Sequence, residues 1–401
     1  MRTPGRPDRS ASLWVVAALA SGPLVSLGLA RFAYALLLPE MQDRFGWTYA
    51  QAGVLNTANA VGYLLGALAG AGAARRWGTR RVFLLGTVGT TLALALTALA
   101  PGYAALLATR ALAGAAGALA FVLGGALVAT ATSGHPPAAA ARLLGLYYGG
   151  SGLGMTIAGL LVPLVLERSG PLGWRWGWLS LAAVGSLACL AALLGLRQQA
   201  DPPPRGVEHR SWRRGSIGWV TAGYVLFGLG YIAYLTFAVA YLAELGAGAA
   251  QVAVFWAVLG LAATVGGLAW APLLGRLGGA RGMAAVLAVL ALGTLLPLWQ
   301  PRPWAFLLSA VLVGGSFLSA VTGVTIAVRH VLPAPLWTAG LGFATVAFGV
   351  GQSLGPWLSG AVADRAGGIA AGLAASAALL LVGAVLALPQ REARPVRNRP
   401  S

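Results

Sequence analysis

Arg31 and Arg110 are the residues of this chain whose type and placement could do chemistry. Tyr and Cys apart, no other ionisable side chain falls well inside an apolar run, and all nine acidic residues lie in loops, tails or at the ends of runs. An arginine at bilayer depth costs roughly 2.5 kcal/mol or more, so each guanidinium must face protein interior or a wet cavity. With no buried carboxylate to neutralise it, a guanidinium fork suits the paired oxygens of a carboxylate or phosphate. The other role open to Arg110 is a brace, bonding helix-end carbonyls or the amides of Asn56 and Asn59. Arg31 lies eight residues before Pro39 and Arg110 eight after Gly102, which predicts a similar depth for both, about 12 Å below one membrane face. Asn56 and Asn59, three apart and so on one helix face, pass through nearly the same layer.

The elements that must hold these residues are membrane spans. Charged residues make up 9% of the 401-residue chain and apolar residues 58%, against roughly 25% charged in a soluble domain. A spanning helix needs roughly 20 largely apolar residues. Twelve such runs are present, near 13–38, 50–73, 82–100, 104–130, 142–165 and 176–196, then 216–242, 250–274, 283–299, 303–328, 336–362 and 367–388. The expected fold is an all-α membrane protein of twelve transmembrane helices in two pseudo-symmetric six-helix halves. Residues 1–196 form the N-terminal half, 197–214 a linker with Pro202, Pro203 and Pro204, and 215–401 the C-terminal half with a basic tail.

The two halves are related in sequence. At an offset of 200, Gly28, Leu29, Ala33 and Tyr34 return as Gly228, Leu229, Ala233 and Tyr234. Gly66 returns as Gly266, Arg76, Gly78 and Arg81 as Arg276, Gly278 and Arg281, and Gly114 as Gly314. Transporters built from repeated halves place the substrate at the interface near the membrane midplane. The arginines break the symmetry, since Tyr231 takes the position of Arg31 and Ala310 that of Arg110. Charge recognition is therefore expected from one half, and apolar and hydroxyl surface from the other. Tyr34, Tyr63, Tyr231, Tyr234, Trp256 and Gln352 are candidates to complete the site, with ordinary helix packing as the alternative for each.

The net charge of +18 belongs to topology rather than to nucleic acid, because the basic residues sit in short loops between apolar runs. Of the 27 arginines, 20 fall on the side that carries both termini and the linker, five on the other and two inside spans. The positive-inside rule then predicts cytoplasmic termini, and residence in the cytoplasmic (inner) membrane of a bacterium is expected. An uncleaved first helix is expected despite Ala18-Leu19-Ala20, since the apolar run continues to Leu38. Cys189 is a lone thiol in an apolar run. His135, His209 and His330 do not converge, the glycines Gly349, Gly351 and Gly355 lack the strand of a nucleotide loop, and no catalytic triad, metal set or cofactor motif is visible.

The basic loop Arg75-Arg76-Trp77-Gly78-Thr79-Arg80-Arg81 after the second run, Arg110-Ala111-Leu112-Ala113-Gly114, and Gly351-Gln352-Ser353-Leu354-Gly355-Pro356 resemble motifs of the major facilitator superfamily. Gly28 through Pro39 and Asn56 through Gly66 are similar to its YbfB/YjiJ-like branch. The resemblance implies helices 1 and 4 of each half lining a central path, with Arg76, Gly78 and Arg81 in a gating loop. The aspartate of that loop motif is replaced by Arg75, and by Leu274 or Gly275 in the second copy, which bears against the superfamily's usual charge relay. The resemblance implies a secondary transporter, not an enzyme, expected as a monomer among membrane lipid. Its substrate is expected to be a small anionic or amphipathic organic solute, a proton is the candidate coupling ion, and no cofactor is expected. Two rival readings are an efflux pump for apolar compounds and a sensor or scaffold that does not transport.

Overall fold

A computed structural model gives the conformation of residues 9–197, 201 and 214–392. Most of the expected linker, including Pro202 to Pro204, and the arginines of the tails before Arg9 and after Arg391 lie outside the described residues. Every regular element among the described residues is helical, as hydrocarbon requires of a chain that must satisfy its own backbone. Among the described residues eleven stretches are long and apolar enough to cross a bilayer, and one, the 57 residues of Ala139–Gly195, holds two helices separated by a turn at Gly170–Leu172.

Twelve spans result. In the first half they are α1 (Leu13–Phe45), α2 (Tyr49–Trp77), α3 (Thr79–Leu99), α4 (Tyr103–Ala131), α5 (Pro137–Ser169) and α6 (Gly173–Gly195). In the second they are α7 (Gly218–Glu244), α8 (Ala249–Leu277), α9 (Gly279–Trp299), α10 (Pro303–Val331), α11 (Trp337–Ala366) and α12 (Ile369–Ala387). Leucines such as Leu65, Leu92, Leu187 and Leu268 are exposed on the outer surface, where lipid replaces protein as the apolar partner.

The 200-residue offset survives as backbone geometry. Gly46 and Gly246 end α1 and α7 with φ of 65° and 78°, and Gly78 and Gly278 end α2 and α8 at 87° and 82°. The amide of Thr48 donates to the Gln51 side chain at 3.0 Å, and that of Gly248 to Gln251 at 3.1 Å, so the same glutamine cap starts α2 and α8, made reciprocal at α2 by the Thr48 hydroxyl accepting from the Gln51 amide. A Cβ added at Gly114 would lie 1.9 Å from the carbonyl oxygen of Asn59, and one at Gly314 2.3 Å from that of Leu259. The repeated glycines thus mark where the second and fourth helices of each half touch backbone to backbone.

The boundary that differs most from expectation is the end of the first run. The first run was expected to end at Leu38, but α1 continues to Phe45 with Pro39 inside it. Proline removes one intrahelical hydrogen bond, a loss that neighbouring helices make tolerable within a bundle. α1 is also irregular nearer its start, where a turn at Ala20 and a short α-helical stretch, Ser21–Pro23, lead into a nine-residue π-helix, Leu24–Phe32.

The halves meet along three helix pairs. α5 crosses α8 at Gly152 and Gly260, and α2 crosses α11 at Gly53, where an added Cβ would lie 2.3 Å from the Pro356 carbonyl oxygen. α1 and α7 share the middle. At the arginine-poor end, Asp364 accepts from the amides of Tyr49 (2.8 Å) and Ala50 (2.9 Å), and the Tyr49 hydroxyl donates to Glu244. Toward the arginine-rich end α2 and α11 become less buried. Before Gly349 only Gly340 and Ala344 of α11 are buried, and beyond Gly70 no residue of α2 is. The halves are closed at one face and diverge toward the other.

Candidate functional site

Arg31 sits in the π-helical segment of α1, 14 residues before Phe45 and so roughly 21 Å of helix from that end. The helix runs on six residues past Pro39, so its end lies farther from Arg31 than the proline does. The π turn is wider than an α turn and is often found at functional positions. The side chain is 3% exposed and its Nη2 donates across the half-to-half interface to Gln352 Oε1 at 2.7 Å. The same oxygen accepts from the Tyr231 hydroxyl at 3.2 Å. Arg31 Nε, the fork partner of Nη2, has no hydrogen-bond acceptor among the described residues. The guanidinium lies over the Tyr63 ring at 5.4 Å, a contact worth ~0.5–2 kcal/mol for a desolvated cation.

Arg110 forms a second cluster wholly inside the first half. It lies over the faces of Tyr34 (5.0 Å) and Trp178 (5.2 Å), and its Nη1 donates to the Ala30 carbonyl within the π segment. Its Nε and Nη2 have no acceptor among the described residues. Asn59 does not reach this guanidinium; it donates to the main-chain oxygen of Arg110 at 3.1 Å. Tyr34 donates to the Ala52 carbonyl at 2.8 Å. These contacts tie α1, α2, α4 and α6 together. Among the described residues no carboxylate pairs with either arginine.

The remaining candidates are dispersed. Asn56 donates to Thr236 Oγ1 of α7 at 2.6 Å, another link between the halves, while its Oδ1 is unpartnered. Tyr234 bonds Ser309 and Ser309 bonds the Gly293 carbonyl, a chain inside the second half. Trp256 is fully buried where α8 meets Gly159 of α5, away from both arginines in its contacts, with Nε1 unpartnered. Arg31, Tyr63, Tyr231 and Gln352 are therefore brought together, Arg110, Tyr34 and Asn59 form a neighbouring brace, and Tyr234 and Trp256 join neither group. A separate open groove of about 470 Å³ between α5 and α6, lined chiefly by Leu161, Leu164, Val165, Trp176 and Leu179, shares no residue with either cluster.

Spacing within one helix did not single out the ring stack facing Arg31. Phe227 stacks on Tyr231 (4.4 Å, 17°), Phe348 on Tyr224 (4.6 Å, 16°), and Phe317 on Tyr231 (6.0 Å, 13°). Tyr224, Phe227 and Tyr231 form a visible stripe on α7, but Phe317 and Phe348 arrive from α10 and α11. In the basic loop, Arg76 lies over Trp77 at 5.6 Å and Gly78 adopts its positive φ, while Arg81 is exposed. The loop's interactions run instead through Arg80, whose amide donates to Asp201 at 2.6 Å and whose side chain donates to the Leu196 carbonyl at 3.1 Å. Glu392 plays the matching part at α9, accepting from the amides of Gly279 and Ala280 and facing His330 at 2.8 Å. The carboxylate absent from each loop thus arrives from beyond the sixth helix of each half.

Comparison with known proteins agrees with this architecture. A bacterial homologue of the human lysosomal transporter Spinster, solved inward-facing and unoccupied, superposes with a TM-score of 0.74 at 16% identity, covering 97% of this chain and 100% of that one. The D-xylose–proton symporter gives 0.71 at 15% identity (95% and 97% covered), and a variant of the nucleoside transporter NupG gives 0.70 at 15% (94% and 98% covered). At such identities the likeness establishes the fold. No curated protein is detectably similar in sequence. The family model described as "Uncharacterised MFS-type transporter YbfB" matches residues 23–388. The chain is a multi-span secondary transporter of the major facilitator superfamily, and belongs to the YbfB-type family within it.

Proposed function

We propose that this transporter carries a small organic anion, bound at Arg31 between the two halves. The observation that carries the reading is a buried guanidinium with no carboxylate partner, held by one amide oxygen of the opposite half and retaining an unpartnered Nε. Transport proceeds by rocking residues 1–196 against 215–401. Asp364 and Glu244 hold the arginine-poor face shut while the arginine-rich face diverges. With the arginine-rich face cytoplasmic, this is an inward-facing state of an inner-membrane monomer. No carboxylate pairs with the arginines among the described residues, so coupling falls to a proton carried by the substrate itself, to exchange, or to diffusion down the anion gradient. The aromatic surroundings of Arg31 favour one second reading, export of apolar compounds.

The test is thermal unfolding of the purified protein with small carboxylates and neutral analogues, for wild type, Arg31→Ala and Arg110→Ala. A ligand at 100 times its dissociation constant stabilises by about 2.7 kcal/mol. An anion should stabilise the wild type and Arg110→Ala but not Arg31→Ala. Stabilisation of all three by neutral apolar compounds alone would refute the anion site and favour export of such compounds.

A further inference from the structure

Building on the anion reading above, we infer that the transported anion is a planar aryl carboxylate: its carboxylate fills the Arg31 fork and its ring lies along the aromatic wall of the second half. Two independent features of the site lead there.

The first is the state of the fork. Nε and Nη2 of an arginine lie on one edge of the guanidinium and together match the two oxygens of a carboxylate. At Arg31 one tooth of that edge, Nη2, is bonded to Gln352 Oε1 and the other, Nε, has no acceptor among the described residues. Here the amide oxygen serves only one tooth. Gln352 Oε1 also accepts from the Tyr231 hydroxyl, so it occupies the place that one carboxylate oxygen would take, between Nη2 and a phenol. A carboxylate there keeps both of those bonds and adds the one to Nε. Gln352 is displaced in the process, and with it a hydrogen bond that ties α1 to α11 across the interface. Binding is thereby coupled to release of the halves at mid-depth.

The second feature is the shape of the wall. Phe348 stacks on Tyr224, Phe227 and Tyr231 at centroid distances of 4.6, 5.5 and 5.8 Å, with interplanar angles of 16°, 17° and 23°. Phe317 continues the stack beyond Tyr231 at 13°. Near-parallel rings drawn from α7, α10 and α11 stack beside the fork, and Phe348, the half-buried member of the stack, leaves part of its ring uncovered for a further ring to lie against. Offset stacking contributes ~0.5–1.5 kcal/mol beyond area burial, which only a flat π-system collects. A puckered ring of the same size and charge meets the same fork but not the same wall.

The experiment uses the full-length protein in detergent, titrated with benzoate, cyclohexanecarboxylate, acetate and benzyl alcohol while thermal unfolding is followed. The stacking contribution predicts benzoate binding roughly fivefold tighter than cyclohexanecarboxylate, with acetate and benzyl alcohol weaker than both. Phe348→Leu should bring benzoate and cyclohexanecarboxylate to equal affinity, and Phe348→Tyr, which keeps a ring, should preserve the difference. Arg31→Gln should lose every carboxylate. Equal binding of benzoate and cyclohexanecarboxylate by the wild type overturns the aryl assignment and leaves the anion site standing. Failure of all carboxylates overturns the anion site itself. Benzyl alcohol matching benzoate overturns both, because neither the fork nor the charge then contributes.

Discussion

Residue by residue, the two buried arginines differ in what surrounds them. Arg110 is enclosed by Tyr34, Trp178 and the Ala30 carbonyl, all of its own half. Arg31 reaches the other half through Gln352. Replacing Gln352 by Glu puts a permanent carboxylate opposite the fork, and charge-assisted bonds of this kind are worth about 1.5–3 kcal/mol each when well formed. Gln352→Glu should therefore raise the thermal midpoint in the absence of ligand and abolish anion-dependent stabilisation and uptake into proteoliposomes. A variant that still binds and carries anions normally would show that Gln352 does not occupy the substrate's place.

At the scale of the element, closure of the arginine-poor face depends on the start of α2. The first amides of a helix lack intrahelical acceptors and carry a partial positive charge. Asp364, near the end of α11, meets both needs for Tyr49 and Ala50 from the opposite half, and Glu244 at the end of α7 holds the Tyr49 hydroxyl. Asp364→Asn keeps the shape but weakens the charge-assisted pair, so the population should move toward opening at this face. A reporter thiol at Ala240→Cys, a buried site near that end of α7, should then react about tenfold faster with a polar reagent, as a shift of ~1.4 kcal/mol implies. The native Cys189 is buried against Thr91 and adds little background. An unchanged rate would mean that these bonds do not set the closed face.

At the scale of the whole molecule, charge and repeat together organise the bundle. The basic loops after α2 and α8 are capped by Asp201 and Glu392, at equivalent places in the two halves. The surplus of arginine on the face that carries these loops predicts both termini in the cytoplasm. A protease-cleavable tag after Ser401 should accordingly be cut in inverted inner-membrane vesicles and protected in intact spheroplasts. The reverse pattern would invert the direction assigned to the closed and divergent faces.

Much of this architecture was legible in the chain. Twelve apolar runs, a 200-residue repeat and the isolation of Arg31 and Arg110 are facts of composition and spacing, and a bilayer leaves few ways to fold them, because helices alone satisfy the backbone of such runs. The end of α1 was not legible, since whether Pro39 stops a helix or is carried inside it depends on the neighbours that compensate the lost bond. Nor was the division of labour between the arginines, because both look alike along the chain and differ only in what surrounds them. Gln352 was a candidate by type, yet its partnership with Arg31 spans 321 positions, and Phe317 and Phe348 join Tyr231 only through the crossing of α7, α10 and α11. The repeat is written in residue identities, and the spans and the buried charge follow from transfer free energies summed along short segments. The tertiary structure decided which half meets each charge and with what atoms, since that depends on contacts between segments remote in the chain.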